Sequence, residues 1–178
     1  VIGRAVLGPG RAEDGDRGSD LAHLSEAPFP EWLVVPFIQC FCPPDGVVLD
    51  PFCGIGTILQ EGMLLGYKML GSDINKQAIL GSETNLEWFR NRYKISKGRY
   101  HLDASDAKNV SKTVDKLVKL KAFSKINAIV TEGYLGPLYS KFPQAPEIES
   151  NFKELQKLYS ASFQEFLKFL SKNSKVII

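Results

Sequence analysis

Cysteine and histidine are scarce in this chain: Cys40, Cys42 and Cys53, with His23 and His101, among 178 residues. An odd cysteine count, with one C-x-C pair and no second ligand cluster, builds neither a disulfide framework nor a zinc centre. The expectation is reduced, buried thiols in a cytoplasmic protein, with no metal. Long hydrophobic runs are missing too. The longest apolar stretch, Trp32 to Cys42, is broken by Pro36 and Gln39 and is too short to cross a bilayer. An initiator Met is missing: the chain opens Val1-Ile2-Gly3-Arg4, with no charged-then-apolar leader pattern, which speaks against secretion and suggests a fragment or a trimmed product. Internal repeats and low-complexity segments are absent, which excludes solenoids and fibres.

What remains is ordinary globular material. Hydrophobic residues make up 44% and charged residues 24%, enough apolar content for one domain with a real core. The net charge of +2 is unevenly spread. Residues 1–46 carry three Arg against seven acids, and the remainder carries 19 bases against 13 acids. A polyanion therefore finds its partner surface in the C-terminal part. The run Lys112, Lys116, Lys119, Lys121 and Lys125 reads as a solvated helix stripe that could also steer RNA.

Gly8-Pro9-Gly10, the Glu13 to Gly18 charged run and Pro28-Phe29-Pro30 punctuate residues 1–30 too heavily for a regular element. This part reads as a flexible arm or lead-in. From there the pattern is regular. A helix over Glu31 to Phe41 ends at Pro43-Pro44-Asp45-Gly46, with Trp32, Phe37 and Phe41 as core aromatics. Strands are expected at Val47 to Asp50, Lys68 to Ser72, Arg99 to Leu102, Ile126 to Thr131 and from Val176. Helices are expected at Thr57 to Leu65, Lys76 to Tyr93, Val110 to Leu120 and Ile148 to Leu170. Ile79, Leu80, Leu86, Trp88 and Phe89 form the face of the second of these, and the last is amphipathic. Such alternation specifies an α/β fold: a parallel, doubly wound sheet whose ligand sits at strand carboxyl ends, where the winding reverses.

Two motifs carry chemistry. Asp50-Pro51-Phe52-Cys53-Gly54-Ile55-Gly56-Thr57 joins the first strand to its helix. Its glycines let backbone approach a ligand, and the helix start offers free N–H groups to an anionic group. Asp73, closing the second strand, is placed to accept from both hydroxyls of a ribose. Thr131-Glu132-Gly133-Tyr134-Leu135-Gly136-Pro137 follows the fourth strand.

Asp50 to Thr57 resembles motif I of class I S-adenosylmethionine-dependent methyltransferases, in the D-P-F-x-G-x-G-T form of nucleic-acid amino-methyltransferases. Residues 47–138, including Gly71-Ser72-Asp73-Ile74 and Asn85-Leu86-Glu87-Trp88, resemble the tRNA guanosine-N2 methyltransferase group that elsewhere carries a THUMP domain. The resemblance implies a Rossmann-like methyltransferase domain over residues 31–178, truncated at its C-terminus, with strands 1–5 of 7 and an open sheet edge at Val176 to Ile178. That edge needs a partner chain, the arm or missing sequence. It implies S-adenosylmethionine as cofactor, with Asp50, Phe52, Gly54, Gly56 and Thr57 around the methionine moiety and Asp73 on the ribose. Asp106 fits the adenine contact, with Asp103 as competitor. In the second motif, set against the family's [D/N]-P-P-[Y/F], Glu132 stands in the acid position, both prolines are absent, and Tyr134 or Leu135 falls near the aromatic place. Glu132 and the Gly133 carbonyl would accept the N–H bonds of an exocyclic amine, and Tyr134 would stack on the base.

Residues 26–57, from Glu26-Ala27-Pro28-Phe29-Pro30 through Cys42-Pro43-Pro44, resemble instead DNA N4-cytosine or N6-adenine methyltransferases. The two resemblances meet at Asp-Pro-Phe-Cys-Gly, as in a mosaic or in one diverged family. The expected activity is methylation of a base amino group, guanine N2 in tRNA or other RNA first. DNA amino-methylation is the alternative, and a catalytically silent cofactor-binding fold the third reading. A dinucleotide dehydrogenase is disfavoured, since the turn lacks its third glycine.

Overall fold

A computed structural model describes residues 31–178 except Ser124 and Leu138, with the side chains of residues 31–33 also outside the description. The lead-in expected over residues 1–30, and Trp32 as a core aromatic, lie outside the described residues. The elements run α1 (Glu31–Phe41), β1 (Val47–Asp50), α2 (Thr57–Leu64), β2 (Lys68–Asp73), α3 (Lys76–Arg92), β3 (Tyr100–Ala104), a 3-10 turn (Ala107–Asn109), α4 (Val110–Lys119), β4 (Ala128–Val130), α5 (Ala145–Phe166) and β5 (Lys175–Ile177). The strands form one sheet in the order β3-β2-β1-β4-β5, every pairing parallel.

Side-chain alternation sorts the strands onto two faces. Val48, Met69, Ala128 and Val130 face a core closed by Val34 and Ile38 of α1, Ile58, Leu59 and Met63 of α2, and Leu86 and Phe89 of α3. Val47, Leu49, Leu70 and Ile129 face the other, closed by Val110 and Val114 of α4, Phe123, Ile126 and Phe166 of α5. Sheets buried on both faces read as continuous apolar runs, as Val47-Val48-Leu49 does.

The helices depart from expectation where a neighbour, rather than periodicity, decides burial. Phe41 is exposed and Phe37 only half-buried; they stack on each other at 6.4 Å, and α1 buries Val34 and Ile38 instead. Cys42 and Cys53 are buried as expected, but Cys40 is exposed. On α3 Leu80 is exposed, and Gly81, Ser82, Asn85, Leu86 and Phe89 are the buried residues. The last helix begins three residues earlier than its apolar stripe. Gln144 and Glu147 form a reciprocal capping box there, with Pro146 in the first turn. That helix also ends at Phe166 rather than Leu170, and Phe152 and Phe163 on its expected apolar face are exposed.

After β3 the chain crosses beneath the sheet and returns on the far side of β1, so winding reverses between β1 and β4. The carboxyl ends of these two strands mark the crevice position at which such sheets hold ligands.

Candidate functional site

Asp50 closes β1 with 1% of its surface exposed. The Phe52 N–H donates to its Oδ1 at 3.1 Å, and the Thr131 hydroxyl bonds its carboxyl from the end of β4. Burial pushes its pKa up to about 7; the Thr131 and Phe52 hydrogen bonds oppose the rise, while the Asp73 and Glu132 charges add to it. The Cys53 thiol is pushed well up too, by burial first and then by the Asp50 and Asp73 charges. It is held as a thiol rather than as the reactive thiolate.

The turn after Asp50 is folded by backbone contacts. Cys53 N–H donates to the Ser72 carbonyl at 3.0 Å, and Gly56 N–H to the Cys53 carbonyl at 2.8 Å. Gly54 and Gly56 take φ of 51° and 91°, left-handed conformations that disfavour a side chain. At Gly56 crowding adds to this, because a Cβ would lie 2.5 Å from Ser82 Oγ of α3. At Gly54 a Cβ would meet nothing within 4 Å, so this residue faces open space. Gly56 caps α2 without any side-chain hydrogen bond, leaving the helix's first amides to a ligand.

Asp73 ends β2 and ties the turn down. Its Oδ2 accepts from Gly54 N–H at 3.0 Å and its Oδ1 from Asn75 N–H at 2.8 Å. A carboxylate has about four lone-pair sites, so two stay available to ribose hydroxyls. Asp103 and Asp106 separate by their partners. Asp103 accepts from the Thr113 hydroxyl of α4, which ties it to the fold. Asp106 accepts from Lys108 N–H at 2.9 Å, faces Lys108 Nζ at 3.3 Å and begins the 3-10 turn just beyond β3.

Beyond β4, Thr131 is buried, Glu132 and Gly133 half-buried and Tyr134 48% exposed. Burial raises the Glu132 pKa above the ordinary carboxylate value. Gly133 N–H donates to Thr131 Oγ1 at 3.1 Å, and Gly133 takes φ 78°, which proline cannot adopt. The loop thus has a different backbone from one stiffened by two prolines. On α5, Tyr159 donates its hydroxyl to the Tyr134 carbonyl at 3.0 Å and packs its ring on Phe52 at 5.9 Å.

The structure therefore brings Asp50, Phe52, Gly54, Gly56, Thr57 and Asp73 together with Glu132, Gly133 and Tyr134 around the reversal point, and sets Asp106 at the end of the neighbouring strand. Four residues carry weight here that the motifs did not assign: Thr131, Ser82, Asn85 and Tyr159. Asn85 Nδ2 donates to the Ile55 carbonyl at 3.2 Å inside the core, bracing the turn from α3. A buried amide on the helix face that also buries Leu86 and Phe89 is the signal that points to it. The Lys112 to Lys125 run is exposed along α4 and descends toward the start of β4, the end of the sheet away from this crevice. Among the described residues no group of His, Cys, Asp and Glu is arranged to hold a metal.

Residues 10–84 match a family model described as DNA methylase. The tRNA (guanine(10)-N2)-dimethyltransferase of Methanocaldococcus jannaschii is 33% identical over 111 residues, 62% of this chain and 29% of that protein. The enzyme of the same name from Methanothermobacter thermautotrophicus is 34% identical over 85 residues, 48% of this chain and 20% of that protein. The chain thus spans less than a third of the length of these curated relatives. Among solved structures, a TehB-like SAM-dependent methyltransferase from Corynebacterium glutamicum superposes with a TM-score of 0.52 at 16% identity, covering 88% of this chain and 65% of that one. An rRNA methylase from Streptococcus thermophilus gives 0.50 at 15% identity, covering 83% and 67%. The fold is the Rossmann-like α/β fold of S-adenosylmethionine-dependent methyltransferases, and both sequence resemblances find their counterparts.

Proposed function

We propose that the chain carries the catalytic fold of an S-adenosylmethionine-dependent methyltransferase acting on an exocyclic amino group of a nucleic-acid base, guanine N2 of tRNA first. The observation that carries the reading is a convergence: the Asp50–Thr57 turn and the Glu132–Tyr134 loop meet where the sheet reverses, linked through the Thr131 hydroxyl. The residues fit the cofactor. Gly54 leaves open space beside the uncapped start of α2, Asp50 is a buried acid for a cationic methionine moiety, and Asp73 keeps acceptor sites for a ribose. Phe52, Thr57 and Asp106 would complete the lining. When bound, the cofactor supplies a methyl group on sulfonium, an activated donor whose leaving group is a neutral thioether.

The remaining work is positioning. An exocyclic base amine has its lone pair delocalised into the ring and is a poor nucleophile. Glu132 and the Gly133 carbonyl accept its two N–H bonds, drawing the lone pair out of the ring, while Tyr134 stacks on the base and orients it. A half-buried carboxylate accepts more strongly than one in water, at the cost of a raised pKa. Activity therefore declines as pH falls through the raised Glu132 pKa, since the protonated acid loses its charge. Gln at this position keeps one acceptor oxygen, so Glu132→Gln is expected to lower kcat about tenfold and to remove that acid limb. A pH–rate profile of both proteins checks this.

Labelled-methyl transfer to bulk tRNA and to unmethylated duplex DNA, followed by nucleoside mass spectrometry, tests the substrate. N2-methylguanosine in tRNA is the expected product. Methylated cytosine or adenine in DNA would favour the second reading, which the DNA methylase match over residues 10–84 supports. Cofactor binding without transfer to either would leave a silent fold. A cytoplasmic location belongs to the same proposal, supported by the likeness to tRNA methyltransferases. So does a partner along β5, where Lys175 and Val176 stand exposed at the sheet edge. Among the described residues no helix is long and apolar enough to cross a membrane.

A further inference from the structure

Tyr159 lies midway along α5, 25 residues beyond the loop it touches, and nothing in either motif calls for it. Its hydroxyl donates to the Tyr134 carbonyl at 3.0 Å. The same hydroxyl faces the Gly133 α-carbon so closely that a Cβ there would strike it. Its ring packs against Phe52 of the Asp50–Thr57 turn at 5.9 Å, and against Phe163 at 6.2 Å. One side chain thus touches both segments on which the proposed chemistry depends. Thr131 makes a second pair of contacts to the same segments. It bonds the Asp50 carboxyl and accepts from Gly133 N–H at 3.1 Å. The Gly133–Tyr134 backbone is therefore held at the Gly133 amide by Thr131 and at the Tyr134 carbonyl by Tyr159.

This grip has a purpose that proline would otherwise serve. With φ 78° at Gly133 and 105° at Gly136, the loop has glycine's wide conformational freedom, while an acceptor carbonyl must hold its direction to within a few tenths of an ångström to align an amine. We propose that Tyr159 is a positioning residue for methyl transfer: by holding the Tyr134 carbonyl it fixes the Gly133–Tyr134 backbone, and with it the direction of the Gly133 carbonyl, against the Asp50–Thr57 turn, and so sets the alignment of the target amine. This rests on the functional reading above, but its structural half stands without it.

The test uses Tyr159→Phe, which removes the hydroxyl and keeps the ring on Phe52, in the full chain. Amide hydrogen exchange is followed at Gly133, whose N–H is held by Thr131 Oγ1, with Ile129 and Val130 of β4 as controls. Loop exchange is expected to rise about tenfold, the loss of roughly one hydrogen bond, with β4 unchanged. In the transfer assay kcat is expected to fall about fivefold, with KM for tRNA and the affinity for S-adenosylmethionine held within twofold. Loop exchange unchanged within twofold overturns the proposal, as does a rise in KM with kcat intact. Should the wild-type chain transfer to neither tRNA nor DNA while the variant still loosens the loop, the functional reading fails and the Tyr159 grip stands. As a second variant, Thr131→Val removes the Thr131 contact; it is expected to loosen Gly133 by a similar factor. Loosening in neither variant would overturn the proposal even if Tyr159→Phe were poorly folded.

Discussion

Replacing Asp73 by Ala is expected to weaken S-adenosylmethionine binding by about a thousandfold, read by calorimetry. Two losses combine. The carboxylate would no longer accept from ribose hydroxyls, and hydrogen bonds to a charged group contribute about 1.5–3 kcal/mol each. It would also release Gly54 N–H and Asn75 N–H, which it holds at 3.0 and 2.8 Å, so the turn and the start of α3 lose their common anchor. Asp73→Asn separates the two contributions. An amide oxygen still accepts from one backbone N–H, so most of the turn survives while the charge is gone, and an intermediate loss is expected. If Asp73→Ala bound the cofactor within a few fold of wild type, the crevice would not be its site. Circular dichroism guards against a trivial answer, because β2 and α3 must remain formed in the variant.

The stability of the unliganded chain is expected to fall as pH rises from about 4 to about 7, and Asp50 is the group responsible. Its folded pKa is raised from 3.8 to about 7, chiefly by burial. An acid with a raised folded pKa keeps its proton in the native state where the unfolded chain has already released it. Unfolding across this window therefore releases a proton, and stability declines with each pH unit before levelling off above about 7. At about 1.4 kcal/mol per unit the full effect is on the order of 4 kcal/mol. Asp50→Asn cannot titrate, yet its side-chain oxygen can still accept from Phe52 N–H. The stability difference between variant and wild type should therefore grow by that amount between pH 4 and pH 7.5, measured by urea denaturation. A difference that does not vary with pH would place the titration elsewhere. The sign carries into ligand binding: a cationic group set against Asp50 favours the ionised form, so cofactor affinity should increase with pH up to about 7.

Much of this fold is legible in the residues because each element announces itself locally. Val47-Val48-Leu49-Asp50 followed by two glycines reads as strand and turn whatever surrounds it. Asp50, Gly54, Gly56 and Asp73 share the crevice because strand ends of a parallel sheet lie on one side. What stayed illegible depends on neighbours. Phe41 and Leu80 sit at apolar spacings, but α1 buries Val34 and Ile38 instead, and α3 buries Gly81, Ser82 and Asn85 beside the expected Leu86 and Phe89. The start of α5 lies in a polar box, Gln144 with Glu147, which an apolar stripe beginning at Ile148 conceals. Thr131 and Tyr159 are ordinary residue types whose importance arises only when β4 is laid beside β1 and α5 folds back over the turn.

The central place of β1 bears on how the chain is made. Its partner on one side, β2, follows within about twenty residues, but on the other side Val48 pairs with Ala128, and Val47 N–H donates to Asn127 Oδ1 across 80 residues at 2.9 Å. A ribosome adding about 5–20 residues each second needs on the order of 4–16 s to deliver that second neighbour. During this interval the nascent β1-α2-β2-α3-β3 unit exposes the unpaired edge of β1, its most apolar strand. The Asp50 carboxyl at the end of that strand still lacks Thr131, so the crevice is completed only when the second half of the chain arrives.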